Sequence, residues 1–180
     1  GSSDWEELWR QHEDSFEQFS VQGRDPEKPD TLLVIAHNGR DKAALWEFDV
    51  KNRKFGDVVY AREDVNVRGT RRHSNSWTEP DTIVGVTYWT DRQHVEYLDP
   101  LEGATYAQLE GVVPEAYMVY ITSRSRDGQT LTVYNVGPKD PGTYYLLKDD
   151  AFTAVGSKQP LLESKDLAEV RYIDWKARDG

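Results

Sequence analysis

Short runs of alternating apolar and polar residues recur along this chain, and they recur in register. The clearest are residues 32–49 (LLVIAHNGRDKAALWEFD), 83–99 (IVGVTYWTDRQHVEYLD) and 131–149 (LTVYNVGPKDPGTYYLLKD). Each is an apolar run, a polar turn, a second run carrying aromatics and a closing aspartate. The aspartates are Asp49, Asp99 and Asp149, a spacing of 50 residues. Val, Ile, Thr, Tyr, Trp and Phe dominate the runs and Gly, Pro, Asn and Asp separate them, which is the composition of short β-strands between turns.

The pattern predicts strands over 16–21, 32–37, 44–50 and 57–61 in the first repeat. Asn38-Gly39 stands where a hairpin must reverse, since both residues tolerate positive φ, and 51–54 reads as the following polar turn. In the second repeat, 82–89 and 94–98 flank a turn at 90–93, with Arg71, Arg72 and His73 in a preceding loop. Tyr106, Leu109, Val112 and Val113 fall at i, i+3, i+6 and i+7, so a short helix there replaces or precedes a fourth strand. The third repeat predicts strands over 117–122, 131–136, 143–147 and 152–155, with an Asp127-Gly128 hairpin turn and a GPKDPG bridge over 137–142. A short helix is expected over 161–168, and 169–180 reads as extended. Near the start, Trp5, Leu8 and Trp9 suit an amphipathic helix or the outer strand of a preceding repeat. The strand reading restores the phase of the repeat.

A period of roughly 40–50 residues with several short strands in each is the mark of propeller blades. The fold expected is therefore all-β, a partial β-propeller of about three four-stranded antiparallel blades with one or two short connecting helices. The blades lie near 16–61, 68–113 and 117–158, within a propeller portion spanning 4–169, and residues 1–3 read as a cloning remnant. Three blades make an arc, whose uncovered end faces should drive self-association.

Charge narrows the partners. Lys and Arg number 22 against 32 Asp and Glu, a net charge of −10. Such a surface repels phosphate backbones and anionic lipid, so neither nucleic acid nor membrane is an expected partner. No apolar run approaches the roughly 18–20 residues of a membrane helix. The chain has no cysteine, which excludes disulfides, thiolate nucleophiles and zinc–thiolate or iron–sulfur sites. This fits the cytosol without requiring it.

No catalytic constellation accompanies the repeat, and no cofactor is expected. His12, His37, His73 and His94 are far apart and form no metal-binding spacing. The pairs Glu6-Glu7, Glu63-Asp64 and Asp149-Asp150 fall at strand ends or turns, where carboxylates accept backbone hydrogen bonds. The periodic aspartates read as turn caps, and Asp140-Pro141-Gly142 lacks the alternating oxygen ligands of a calcium loop. Trp46, Trp89 and Tyr97 fall inside strands, where cross-strand aromatic pairing accounts for them.

The segments 37–45 (HNGRDKAAL), 84–100 (VGVTYWTDRQHVEYLDP), 123–128 (SRSRDG) and 140–145 (DPGTYY) together resemble the propeller portion of the prolyl oligopeptidase family of serine peptidases. The segment 172–180 (YIDWKARDG) resembles the strand that leaves that propeller, so 170–180 would begin a linker to an α/β-hydrolase domain. The resemblance covers about 5–180. It implies a propeller that gates access of short peptides to a serine hydrolase, with the hydrolase domain of the same parent chain as its partner. It carries no catalytic residue onto this chain. There is no G-x-S-x-G elbow here, and Ser125 and Ser157 lack its flanking glycines. The chain itself is thus not expected to be an enzyme. Arg72, Arg124 and Arg126 are the candidate substrate-binding residues, because a forked guanidinium can hold a peptide carboxylate or carbonyl. The alternatives are a stand-alone propeller that binds a protein or a glycan, and a structural repeat in a larger assembly.

Overall fold

A computed structural model describes residues 5–12, 15, 17–173 and 175–178. The chain is mostly β, organised as three antiparallel sheets of three or four strands. The residues divide into two compact units, one drawn from Gly1–His73 and Asp81–Asp99, the other from Ser74–Pro80 and Pro100–Gly180.

In the first unit, β1 (Phe19–Arg24), β2 (Thr31–Ala36), β3 (Ala44–Asp49) and β4 (Lys54–Tyr60) form an up-and-down sheet in chain order. A second sheet is built from β5 (Val67–Arg72), β6 (Ile83–Trp89) and β7 (Gln93–Tyr97). Leu33, Ile35, Ala43, Leu45, Val67 and Val86 bury a common core between them. On the other face of the first sheet, Phe48 is fully buried and meets Phe19 and Phe55 edge-on at 5.1 and 5.5 Å. Such pairs add about 0.5–1.5 kcal/mol each beyond the burial of area.

In the second unit, α1 (Pro100–Val112) packs on β8 (Met118–Arg124), β9 (Thr130–Gly137), β10 (Asp140–Lys148) and β11 (Ala151–Ser157), which pair in chain order. Glu102, Tyr106 and Leu109, followed by Val113, make the buried stripe, at the spacing of one helix face. Leu109 and Val113 pack with Val119, Leu131, Val133 and Tyr145 of the sheet.

The turn chemistry follows the sequence. Asn38 and Gly39 have φ of 46° and 80°, closed by a hydrogen bond from Arg40 N to His37 O. Asp149 and Asp150 both take positive φ in the two-residue turn between β10 and β11. At Gly142, with φ of 107°, a Cβ would stand 2.6 Å from the Tyr134 hydroxyl, so a larger residue would be strained there and would displace the tyrosine.

Several expectations are corrected. Residues 67–72 form strand β5, not a loop: VRGTRR buries only Val67 and is recruited by pairing with the apolar β6. The middle sheet therefore has three strands, and the residues expected to supply its fourth lie in a full helix, α1. The 137–142 bridge is shorter than expected, because β10 already begins at Asp140. The N-terminal strand is absent among the described residues 5–12, where Trp9 instead stacks on Phe19 at 4.6 Å. A single 3-10 turn, Ser164–Asp166, stands where a helix over 161–168 was expected. The first strand starts at Phe19; residue 16 lies outside the described residues.

Edge strands carry a common device. Of the six edges of these sheets, five (β1, β4, β5, β8 and β11) contain a register shift, and only β7 pairs regularly. Bulges turn the unpaired backbone of an edge out of line with any incoming strand.

Candidate functional site

The three arginines singled out by sequence fall in different settings. Arg72 closes β5 in the first unit. Its Nη1 donates to Asp81 Oδ1 at 2.7 Å and its Nη2 to the carbonyl of Gln22 at 3.0 Å. Arg124 and Arg126 belong to the second unit, where the structure brings both to Trp77. The Trp77 indole N–H donates to the carbonyl of Arg124 at 3.1 Å, and the Arg126 guanidinium lies 5.5 Å from the indole ring. Among the described residues no carboxylate pairs with Arg126.

Arg124 is held by a group that sequence reasoning missed. Glu102, in the first turn of α1, is only 2% exposed. It accepts hydrogen bonds from Ser74 N at 3.1 Å and Ser74 Oγ at 2.9 Å, and lies 3.6 Å from Arg124 Nη2. An acidic residue in the first turn of a helix is ordinarily a solvated partner of the helix dipole, so its burial here was not legible from residue type. Here the carboxylate ties the Ser74–Pro80 loop to the helix and to β8.

A second buried polar centre sits where β9 meets β10. Asn135 is fully buried. Its Oδ1 accepts from Tyr117 N at 3.0 Å, and its Nδ2 donates to Asp140 Oδ2 at 2.7 Å and to the carbonyl of Glu115 at 3.1 Å. Asp140 Oδ1 in turn accepts from Gly142 N and Thr143 Oγ1. With its other oxygen bound to Asn135, the carboxylate is occupied as a turn-former.

The remaining candidates also have local roles. Asp49 accepts from Asn52 N and Nδ2 at 2.9 and 2.7 Å, which caps the turn into β4 and holds its carboxyl below the usual range. Among the carboxylate pairs, Glu6 meets Arg53, Glu7 meets Arg10, Glu63 meets Arg40 and Asp64 meets Arg62. His37 Nδ1 contacts the carbonyl of Arg40, and His94 stacks on Tyr88. Among the described residues, no cluster of three His, Cys, Asp or Glu is placed to hold a metal ion. Among the same residues, no helix is long and apolar enough to cross a membrane.

His94 Nε2 lies 2.9 Å from Asp91 Oδ1, and Thr90 Oγ1 donates to the same oxygen. These bonds, the one with His94 foremost, lower the Asp91 carboxyl to about 2. The folded value lies below that of an unfolded aspartate. The associated stability is therefore present above about pH 4 and is lost as pH falls through about 2. The Asp91 side-chain carbon, followed by NMR, should titrate with a midpoint near 2. In His94→Ala the midpoint should move up toward 4; an unchanged midpoint would show that His94 does not hold the carboxylate.

Trp46 and Trp89 part company. Trp46 donates its indole N–H to the carbonyl of Ala36 at 3.0 Å and meets Phe55 edge-on. Trp89, expected to be accounted for by strand packing, is 49% exposed at the end of β6. No protein-family model matches the chain, and no curated protein matches it.

Proposed function

We propose that this chain is a non-catalytic stretch of β-propeller, about three blades, from a protein similar to the prolyl oligopeptidase family. In that reading its role is to gate short peptides on their way to a serine hydrolase domain. One observation supports the reading above the others: three up-and-down antiparallel sheets follow one another in chain order, each drawn from one 50-residue period. Blades of this kind rely on neighbours to cover their apolar faces, so self-association of the isolated chain belongs to the same proposal.

Chemistry in the parent would be acyl transfer by a nucleophilic serine, oriented by a His–Asp pair and assisted by an oxyanion hole. None of those groups is assigned to this chain. Arg126, whose guanidinium no described carboxylate occupies, is the arginine best placed to meet a peptide carbonyl or carboxylate; Arg72 and Arg124 already have partners.

The coding sequence downstream of Gly180 tests the proposal. A strand–turn–helix bearing G-x-S-x-G, followed by Asp and then His, is the expected result. A stop codon, or further sheets without that elbow, would overturn it in favour of a binding module. The chain alone should not hydrolyse fluorogenic short peptides, and turnover that survives repurification would sink the non-catalytic assignment.

A further inference from the structure

The first unit contains a cleft of about 210 Å³ lined by Lys42, Asp64, Val65, Asn66, Arg68 and Trp89. Four of the six are hydrogen-bonding or charged, and one is an aromatic with half its surface exposed. Arg72, Arg124 and Arg126 are not among its lining residues, and it does not rest on the gating proposal.

Its parts are fixed by the fold. Val67 pairs with Tyr88 and Gly69 with Thr87, so Arg68 is the extra residue of a bulge on β5. A bulge re-aims the side chain of the residue it inserts. Asn66 Oδ1 accepts from Ala43 N at 2.8 Å, and Ala43 O accepts from Val67 N at 2.9 Å, which locks the approach to β5. That bond uses the Asn66 carbonyl and leaves its amide N–H groups without a partner among the described residues. Asp64 is held by a two-bond fork from Arg62, at 2.8 and 2.7 Å, so its charge is already compensated while its oxygens retain lone pairs. Lys42 has its own counter-ion, Asp41, at 3.0 Å. Arg68 has no carboxylate partner among the described residues.

The cleft thus offers a guanidinium with no described counter-ion, an amide donor, a carboxylate acceptor and an indole. Ligand pockets for drug-sized molecules run from roughly 300 to 1,000 Å³, so this volume suits a single ring rather than an extended peptide. A ring with one carboxylate answers the guanidinium. Hydroxyls on that ring answer the remaining lone pairs of Asp64 and the amide of Asn66, to which the ring of a bare aromatic acid offers nothing. We propose that the Lys42–Asp64–Asn66–Arg68–Trp89 cleft binds an acidic monosaccharide of the hexuronate class, its carboxylate on Arg68 and a ring face on Trp89.

The test is titration of the intact chain with glucuronate, glucose and benzoate, followed by the indole N–H resonance of Trp89, which Trp89→Phe identifies. Glucuronate should shift that resonance saturably, at least tenfold more tightly than glucose or benzoate. Arg68→Ala should weaken glucuronate at least tenfold. Arg68→Gln, which keeps donors without charge, should behave in the same way. Preserved dispersion of the remaining amide resonances verifies that both variants fold. The proposal is overturned if glucuronate leaves the Trp89 resonance unmoved, if either variant binds as tightly as the parent, or if benzoate binds as well as glucuronate.

Discussion

Glu102→Ala should destabilise the second unit by about 3–5 kcal/mol, the cost of removing one member of a buried ion pair. Glu102 is 2% exposed and the Arg124 side chain 15%. Truncation therefore leaves a guanidinium with little water to replace its partner, and removes the acceptor for Ser74 N and Oγ. The magnitude comes from the stranded charge more than from the pair itself, whose 3.6 Å separation is long. Two measurements separate these contributions. Amide exchange across Ser74–Pro80 should accelerate in Glu102→Ala, and Glu102→Ala/Arg124→Met should recover most of the lost stability. A single-variant loss below about 1 kcal/mol, or no recovery in the double variant, would show that Glu102 and Arg124 are not energetically coupled.

Asn135→Leu should cost about 3 kcal/mol for a related reason. The substitution keeps the number and branching of side-chain heavy atoms but removes an acceptor and two donors at a position with no solvent exposure. Tyr117 N and Asp140 Oδ2 would each lose a partner, and an unsatisfied buried group costs about 1–3 kcal/mol. Asp140 is itself 5% exposed, so water cannot readily take the vacated place. The check is hydrogen exchange at Leu131 and Val133, core residues of the central strand β9. Protection there should fall by about two orders of magnitude. Unchanged protection would mean that the apolar contacts, not this network, hold the sheet together.

Both centres show where a sequence stops being readable. Hairpins were legible because their signals are local: Asn38-Gly39 and Asp127-Gly128 carry the φ requirement in the residues themselves. Strands with apolar runs, such as β2 and β6, or with alternation, such as β9, were legible for the same reason. β5 was not, since three arginines and a glycine in six residues have no apolar period, and only pairing with β6 makes them a strand. Helix α1 was half legible; its apolar spacing was visible, but its start at Pro100, beneath a buried glutamate, was not. Asn135 stood inside an ordinary strand pattern, and nothing in LTVYNVG marks it as the hub of a turn. Arg72 and Arg124 were found by residue type, but what occupies them depends on Glu102, Asp81 and Gln22, none of them a sequence neighbour. Trp89 looked like any strand aromatic, because exposure is a property of the assembled sheet.

The chain enters the second unit at Ser74, leaves it after Pro80 and returns for good at Pro100. The strands β6 and β7, which complete the first unit, are therefore synthesised after a loop that belongs to the second. On a ribosome adding about 5–20 residues per second, the first unit cannot close until Asp99 has emerged, while the Ser74–Pro80 loop still waits for Glu102 and Arg124. It also follows that no single cut of the polypeptide yields both units whole. A division after His73 removes two strands from one, and a division after Asp99 removes a loop from the other.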